Sequence, residues 1–264
     1  MKKILIVGAG AMGAAFSIPL IDNGHSVTLT EPYNFKLLQK LNLKKKIHPS
    51  LNINLPQKLK INKFSSDILN QKWDLIVIAV SSIGIDLIGK NLSKIKNKSP
   101  ILVLTKGLKL DGRNLISMSS LLKKYNKNLN ISVLKGPCLA KELAKKVKSF
   151  TVVANKNINT AKKIGKLIST NYYQTEFSRD VNGVEFLSAI KNIYSMIIGA
   201  GQWHNTSSAL FRKSIDEMKY LANYFKGKKE TVYGLAGLGD LYVSAMGGRN
   251  SKMGEYLGKG YTFT

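Results

Sequence analysis

The stretch Lys3-Ile4-Leu5-Ile6-Val7-Gly8-Ala9-Gly10-Ala11-Met12-Gly13 decides how the first half of the chain folds. An apolar, β-branched run stops at a glycine, and a G-x-G-x-x-G spacing opens directly onto a helix-compatible segment. The physical reading is strand, tight turn, helix. Gly8 permits the turn, Gly10 lets the backbone approach a pyrophosphate, and Gly13 lets the helix pack close to the strand. The anion then sits at the helix N-terminus, which makes Ala11 and Met12 contact candidates beside the glycines.

Outward from this motif the first half alternates. Lys3–Val7, Ser26–Thr30, Leu75–Val80, Ile101–Leu104 and Ile131–Leu134 are short apolar runs, longer amphipathic stretches separate several of them, and Ile158–Leu167 reads as a further crossover helix. That is the rhythm of βαβ units feeding a mainly parallel sheet with helices on both faces. Lys44–Ser50 reads as a basic, proline-containing loop. From about Val181 the period changes, because Val184, Leu187, Ile190, Tyr194 and Ile197 recur at helical spacing, and Asp216–Phe225 reads as a second helix. The expectation is an α/β, Rossmann-like N-terminal domain over residues 1–180 and a mainly α-helical C-terminal domain over residues 181–264.

Composition narrows the function. No run of about eighteen apolar residues occurs, and Lys2–Val7 is too short for a signal-peptide core, so a cytoplasmic protein without membrane insertion is expected. A single cysteine, Cys138, excludes an internal disulfide and a cysteine-built zinc site, so redox chemistry must come from a cofactor. His25, His48 and His204 have neither metal-ligand spacing nor a visible nucleophile partner, and no metal is expected. Forty-one basic against fifteen acidic residues give a formal charge of +26. The lysines are spread along the chain and no nucleic-acid motif accompanies them, so they read as a solvated surface that steers anions rather than a specific nucleic-acid site.

Glu31 ends the second strand, where a carboxylate would accept bonds from the adenosine ribose and repel a 2′-phosphate. Lys106, in Thr105-Lys106-Gly107, and the segment Gly136-Pro137-Cys138-Leu139-Ala140-Lys141-Glu142 follow strand ends, where open α/β sheets bind ligands. Lys191 lies on the apolar face of its helix with Leu187, Ile190, Tyr194 and Ile198. A lysine there either snorkels outward or works in a cleft, and taken alone snorkelling is the commoner fate.

The set Gly8–Gly13, Thr105-Lys106-Gly107, Gly136-Pro137-x-x-Ala140-Lys141-Glu142, Ala189-Ile190-Lys191-Asn192, Gly234–Leu241 and Gly247-Gly248-Arg249-Asn250 resembles that of the nicotinamide-dependent sn-glycerol-3-phosphate dehydrogenases, in order and over essentially the whole chain. The resemblance implies reversible hydride transfer between NAD or NADP and dihydroxyacetone phosphate, forming sn-glycerol 3-phosphate for phospholipid synthesis or redox balance. It makes Lys191 the general acid/base, Lys106 the lysine touching both substrate and nicotinamide, and Asp240 the carboxylate that orients them. It assigns Arg249 and Asn250 to phosphate and cofactor, Ala140 to the cofactor, and Gly136, Cys138, Asn192, Ser244 and Gly248 to the substrate. A homodimer is a further expectation. Among enzymes, ketopantoate and 3-hydroxyacid reductases share the glycine loop and the helix lysine, but Gly247-Gly248-Arg249-Asn250 argues against them. The rival from another class is a non-catalytic nucleotide- or nucleic-acid-binding protein.

The sequence also departs from that family. Cys138 stands where a hydroxyl or amide residue is usual, and Gly248 replaces a serine common in bacterial members. The Asp240-to-Arg249 spacing is of the eukaryotic type, in which Ser244 takes the phosphate-contacting position. Thr30-Glu31-Pro32 lacks the usual tryptophan and basic residue, which favours NAD over NADP. Family members continue past the position of Thr264, so the clamp Gly234–Asn250 is expected to lack supporting helices and Lys252–Leu257 to expose apolar surface.

Overall fold

A computed structural model describes residues 1–94 and 98–262. Its strands are β1 (Lys3–Val7), β2 (Ser26–Glu31), β3 (Ile47–His48), β4 (Ile53–Asn54), β5 (Lys60–Lys63), β6 (Leu75–Ile78), β7 (Ile101–Val103), β8 (Leu108–Asp111), β9 (Asn114–Ser117), β10 (Ile131–Lys135), β11 (Ser149–Ala154) and β12 (Tyr173–Ser178). Its α-helices are α1 (Ala11–Asp22), α2 (Phe35–Leu41), α3 (Ser66–Asn70), α4 (Ile85–Leu92), α5 (Met118–Tyr125), α6 (Ala140–Ala144), α7 (Ile158–Ile168), α8 (Val181–Ala200), α9 (His204–Tyr224), α10 (Asp240–Ala245) and α11 (Arg249–Gly258). Eight strands form one sheet in the order β12-β11-β10-β7-β6-β1-β2-β5, while β3–β4 and β8–β9 are separate hairpins. Within the large sheet β10–β11 is antiparallel and the other pairings are parallel.

Successive side chains on a strand point to opposite faces, so each central strand feeds two cores. On β1, Ile4 and Ile6 enter the layer beneath α1 and α7, and Leu5 and Val7 enter the layer beneath α4 and α5. A third core lies among the later helices, where Phe186, Leu187, Ile190, Tyr194 and Ile198 of α8 meet Ile215, Met218 and Ala222 of α9. Val184, at the start of α8, still packs in the second sheet layer. The helix is thus anchored on the sheet before it leaves for its own core. Asp180 fixes its beginning, accepting from the Gly183 N–H at 2.9 Å and also from the Lys228 N–H at 2.8 Å and the Thr231 hydroxyl at 2.6 Å. Glu185, one turn on, accepts from the Ser119 N–H at 2.9 Å and from the Ser119 hydroxyl, tying α8 to α5.

Three readings need correction. The Lys44–Ser50 loop contains β3, whose His48 is buried. The second late helix starts at His204, not Asp216, and its first three turns lack a legible apolar period because its buried residues are confined to Ser214, Ile215, Met218 and Ala222. The sheet also has three strands beyond the five apolar runs. Of these, β5 and β12 are edge strands with polar residues along much of their length, so they lack a hydrophobic signature. Among the described residues, no helix is long and apolar enough to cross a membrane.

Candidate active site

The strand after β1 lies to one side of it, and β6, β7 and β10 lie to the other. The crevice beyond the ends of β1 and β6 is therefore the topological switch point, where sheets of this kind take ligands. The glycine loop is shaped for this place. Gly8 has φ +110°, and a methyl group there would lie 2.6 Å from the Ala79 carbonyl carbon. At Gly13 a methyl group would lie 1.9 Å from the Gly8 oxygen. Gly10 is different: it is exposed, and a methyl group there would meet nothing within 4 Å. Gly10 also starts α1 without a side-chain cap, leaving the first N–H groups of Ala11, Met12 and Gly13 for a ligand. Two glycines close the loop against the sheet and one keeps its outer face bare, which fits the phosphates of a dinucleotide.

Glu31 is only 6% exposed, and the protein itself uses most of its carboxylate. The Ala9 N–H donates to Oε2 at 2.7 Å, and the N–H groups of Tyr33 and Asn34 donate to Oε1 at 2.8 and 3.2 Å. Glu31 thus braces the glycine loop from behind, and acceptor capacity for a ribose hydroxyl remains at Oε2. His48 braces the same residue from another side. Its Nδ1 accepts from the Leu51 N–H at 3.3 Å, so Nε2 carries the hydrogen and donates to the Ala9 carbonyl at 3.0 Å.

A cavity of about 420 Å³ opens beyond the strand ends, lined by Met12 of the loop, Ser81 after β6, Lys106 after β7, Gly136 and Cys138 after β10, and Arg249 of α11. Lys106 reaches out of it to Asp240, whose Oδ2 accepts from Nζ at 2.7 Å. The other oxygen of the same carboxylate accepts from Lys191. Lys191 Nζ also donates to Ser244 Oγ at 2.6 Å, and Ser188, one helical turn before it, donates to Asp240 Oδ2 at 3.0 Å. Lys191 does not snorkel: it is 7% exposed, beside an Asp240 that is 2% exposed. Burial, and then repulsion from Lys106, bring its ammonium down to about 8, while Asp240 pulls the other way. Two ammonium groups share one carboxylate, so the cluster that Lys106 links to the cavity keeps a net positive charge, suited to an anionic ligand or a developing alkoxide.

The Gly-rich approach to Asp240 has a local cause. Over Leu235–Gly239 the chain forms a π-helical turn, with the Gly239 N–H bonded to the Gly234 carbonyl at 3.3 Å. This wider turn delivers Asp240 to the start of α10, with Ser244 one turn later on the same face. Arg249 is placed by α11, which crosses α8 almost backbone to backbone. Methyl groups at Gly199 or Gly254 would fall 2.1 Å from the Ser251 oxygen and 1.9 Å from the Met196 oxygen.

Not every expected residue joins the pocket. Asn192 is exposed on α8, Asn250 is half-buried in α11, and Ala140 packs against the sheet core. Ser244 engages Lys191 and also donates to the Asp240 carbonyl at 2.8 Å, so its hydroxyl is already committed. At Gly248 a Cβ would stand 2.5 Å from the Ser244 backbone carbonyl oxygen, so a serine there would force the backbone to shift. Cys138 borders the cavity with its thiol pushed up to about 12 by burial, which makes it an inert wall. The expected apolar surface on α11 is present at Met253, Tyr256 and Leu257.

Sequence reasoning passed over four contributors. Ser188 could have been found, since it lies three residues before Lys191 on one helical face. Thr105 has a role that its motif does not state: its hydroxyl donates to the Val80 carbonyl at 2.8 Å. His48 gave no signal. Lys135 was legible only as the third member of the Ile131, Val133, Lys135 face, and it is 1% exposed. Burial brings it, too, down to about 8.

Known proteins share this sequence pattern and fold. The family models described as NAD-dependent glycerol-3-phosphate dehydrogenase N-terminus and C-terminus match residues 3–161 and 180–264. The NADP(+)-dependent glycerol-3-phosphate dehydrogenase of Archaeoglobus fulgidus is 29% identical, over 97% of this chain and 80% of its own length. The glycerol-3-phosphate dehydrogenase [NAD(P)+] of Fusobacterium nucleatum is 32% identical, over 99% of this chain and 80% of its own. Among solved structures, glycerol-3-phosphate dehydrogenase from Coxiella burnetii superposes with a TM-score of 0.86 at 27% identity, covering 98% of this chain and 81% of that one. The chain belongs to the NAD-dependent glycerol-3-phosphate dehydrogenase family.

Proposed function

We propose that this protein is an NAD(P)-dependent oxidoreductase that interconverts dihydroxyacetone phosphate and sn-glycerol 3-phosphate, with NAD preferred. The observation that carries the reading is the carboxylate of Asp240 held between Lys106 and Lys191 beside the cavity at the strand ends. When bound, the nicotinamide supplies or accepts the hydride; the glycine loop, with Glu31 behind it, holds the cofactor's phosphates and ribose. Lys106 donates to the substrate carbonyl oxygen and draws charge onto it. Lys191 then gives that oxygen a proton as it becomes an alkoxide, and takes the proton back in the reverse direction. Asp240 keeps both ammonium groups aimed at one atom. Arg249 offers its planar fork to the phosphate, which binds such donors in pairs.

The working unit is read as a nucleotide domain over residues 1–180 and a substrate domain over residues 181–264, which accords with Asp180 capping the first helix of the second part. A cytoplasmic role feeding glycerophospholipid synthesis goes with this substrate. A second copy seated on the apolar surface around Trp203, Tyr242, Met246 and Tyr256 would make a homodimer, which sedimentation velocity tests.

The experiment is a substrate panel with NADH. Dihydroxyacetone phosphate should be reduced, and dihydroxyacetone without its phosphate should be a far poorer substrate. Turnover of ketopantoate instead would overturn the reading. Titration with NADH and NADPH checks the cofactor preference, and tighter binding of NADPH would contradict it.

A further inference from the structure

Lys135 is the most deeply buried cation of the site, and the mechanism above does not use it. Its Nζ donates to three consecutive backbone carbonyls at the end of β7: Val103 at 3.4 Å, Leu104 at 3.2 Å and Thr105 at 2.6 Å. The geometry has a plain cause. The parallel register of β10 with β7 ends at Val133 opposite Val103, so the next carbonyls leave the ladder in a place without solvent. An ammonium group has three N–H donors, and here three carbonyls take them. From the other side, the Leu104 N–H donates to the Ile78 carbonyl at 2.9 Å and the Thr105 hydroxyl to the Val80 carbonyl at 2.8 Å. The segment is therefore held on both flanks up to Thr105, and the next residue is Lys106, whose Nζ meets Asp240.

We infer that Lys135 is a positioning residue: its ammonium clamps the end of β7 and so sets where Lys106 stands in the cleft. The inference rests on the functional reading above, because Lys106 matters only if a substrate oxygen meets it. Lys135 borders the cavity, but its Nζ is turned to the three carbonyls, so it acts through the backbone that carries Lys106. A side chain that merely filled space would be replaced without kinetic consequence by methionine, which is unbranched, one atom shorter and without donors.

The test combines kinetics with amide hydrogen exchange on the full chain. In Lys135→Met, exchange over residues 104–107 should quicken in the cofactor-free protein while that over residues 3–13 stays the same. The kcat for dihydroxyacetone phosphate should fall by about tenfold or more, with NADH affinity retained. In a Lys106→Met background the same change should add less than about threefold, because residues acting through one another are not additive. Lys135→Arg, which keeps donors, should recover part of the loss. Equal losses in both backgrounds, or unchanged kcat and exchange in Lys135→Met, would overturn the inference. Should Lys135→Met not fold, Lys135→Gln, which keeps two donors, should show the same changes in weaker form, and its indifference would count against the clamp. If the wild type does not reduce dihydroxyacetone phosphate, the functional reading fails, and the exchange measurement still decides whether the clamp exists.

Discussion

At Lys191 two influences oppose each other: burial and Lys106 disfavour the charged amine, and Asp240 favours it. The balance, at about 8, puts a group that ordinarily titrates far higher within reach of physiological pH. The direction of the pH effect follows from the chemistry. With Lys191 as the proposed acid, reduction needs it protonated, so kcat/KM for dihydroxyacetone phosphate should fall as pH rises through about 8. Oxidation of sn-glycerol 3-phosphate needs the neutral amine, so its kcat/KM should rise through the same region. Asp240→Asn removes the one influence that raises the value, and the limb should move to lower pH while activity falls. A limb that stays in place in Asp240→Asn would mean that another group titrates. The helical period put Lys191 on an apolar face, yet its fate was not legible. Whether such a lysine snorkels depends on what covers it, and the covering carboxylate comes from 49 residues further on.

The glycine loop allows a sharper test at the level of one element, because its glycines face different things. Gly13→Ala would force a methyl group onto the Gly8 carbonyl, so the free protein should lose stability, by the roughly 1–3 kcal/mol typical of overpacking or more. Gly10→Ala meets no protein atom, so the free protein should melt as the wild type does while NADH binding weakens by about tenfold or more, the methyl group occupying the place of the phosphates. Equal effects of the two changes on melting would contradict the assignment of faces; calorimetry and fluorescence titration read both. The loop was legible because its spacing states its geometry. The supports under it were not: Glu31 was expected to face the ribose, and His48 was given no role. Both bind Ala9 through contacts that no local spacing records. Edge strands were lost for a related reason, since β5 and β12 lack the apolar runs that marked the central strands.

In the whole molecule, the sheet supplies the crevice at its switch point and Lys106, and the later helices supply Lys191, Asp240 and Arg249. Their joint is α8, capped by Asp180 and tied to α5 through Glu185. Asp180→Ala would uncap α8 and strand the Lys228 N–H and the Thr231 hydroxyl, so it should lower stability by about 1–3 kcal/mol in denaturant melts. An unchanged melt would show that the joint is held elsewhere. The division into an alternating half and a helical half was readable from the change of period near Val181. The way the two halves share one carboxylate was not, because Asp240 joins lysines far from it in sequence. That shared carboxylate is the centre of the account, and Lys191→Met tests it most directly: NADH consumption with dihydroxyacetone phosphate, followed across pH, for wild type and variant. Loss of about a hundredfold to ten-thousandfold in kcat with NADH binding intact is the predicted result; a Lys191→Met protein with wild-type turnover and an unchanged pH profile would contradict it.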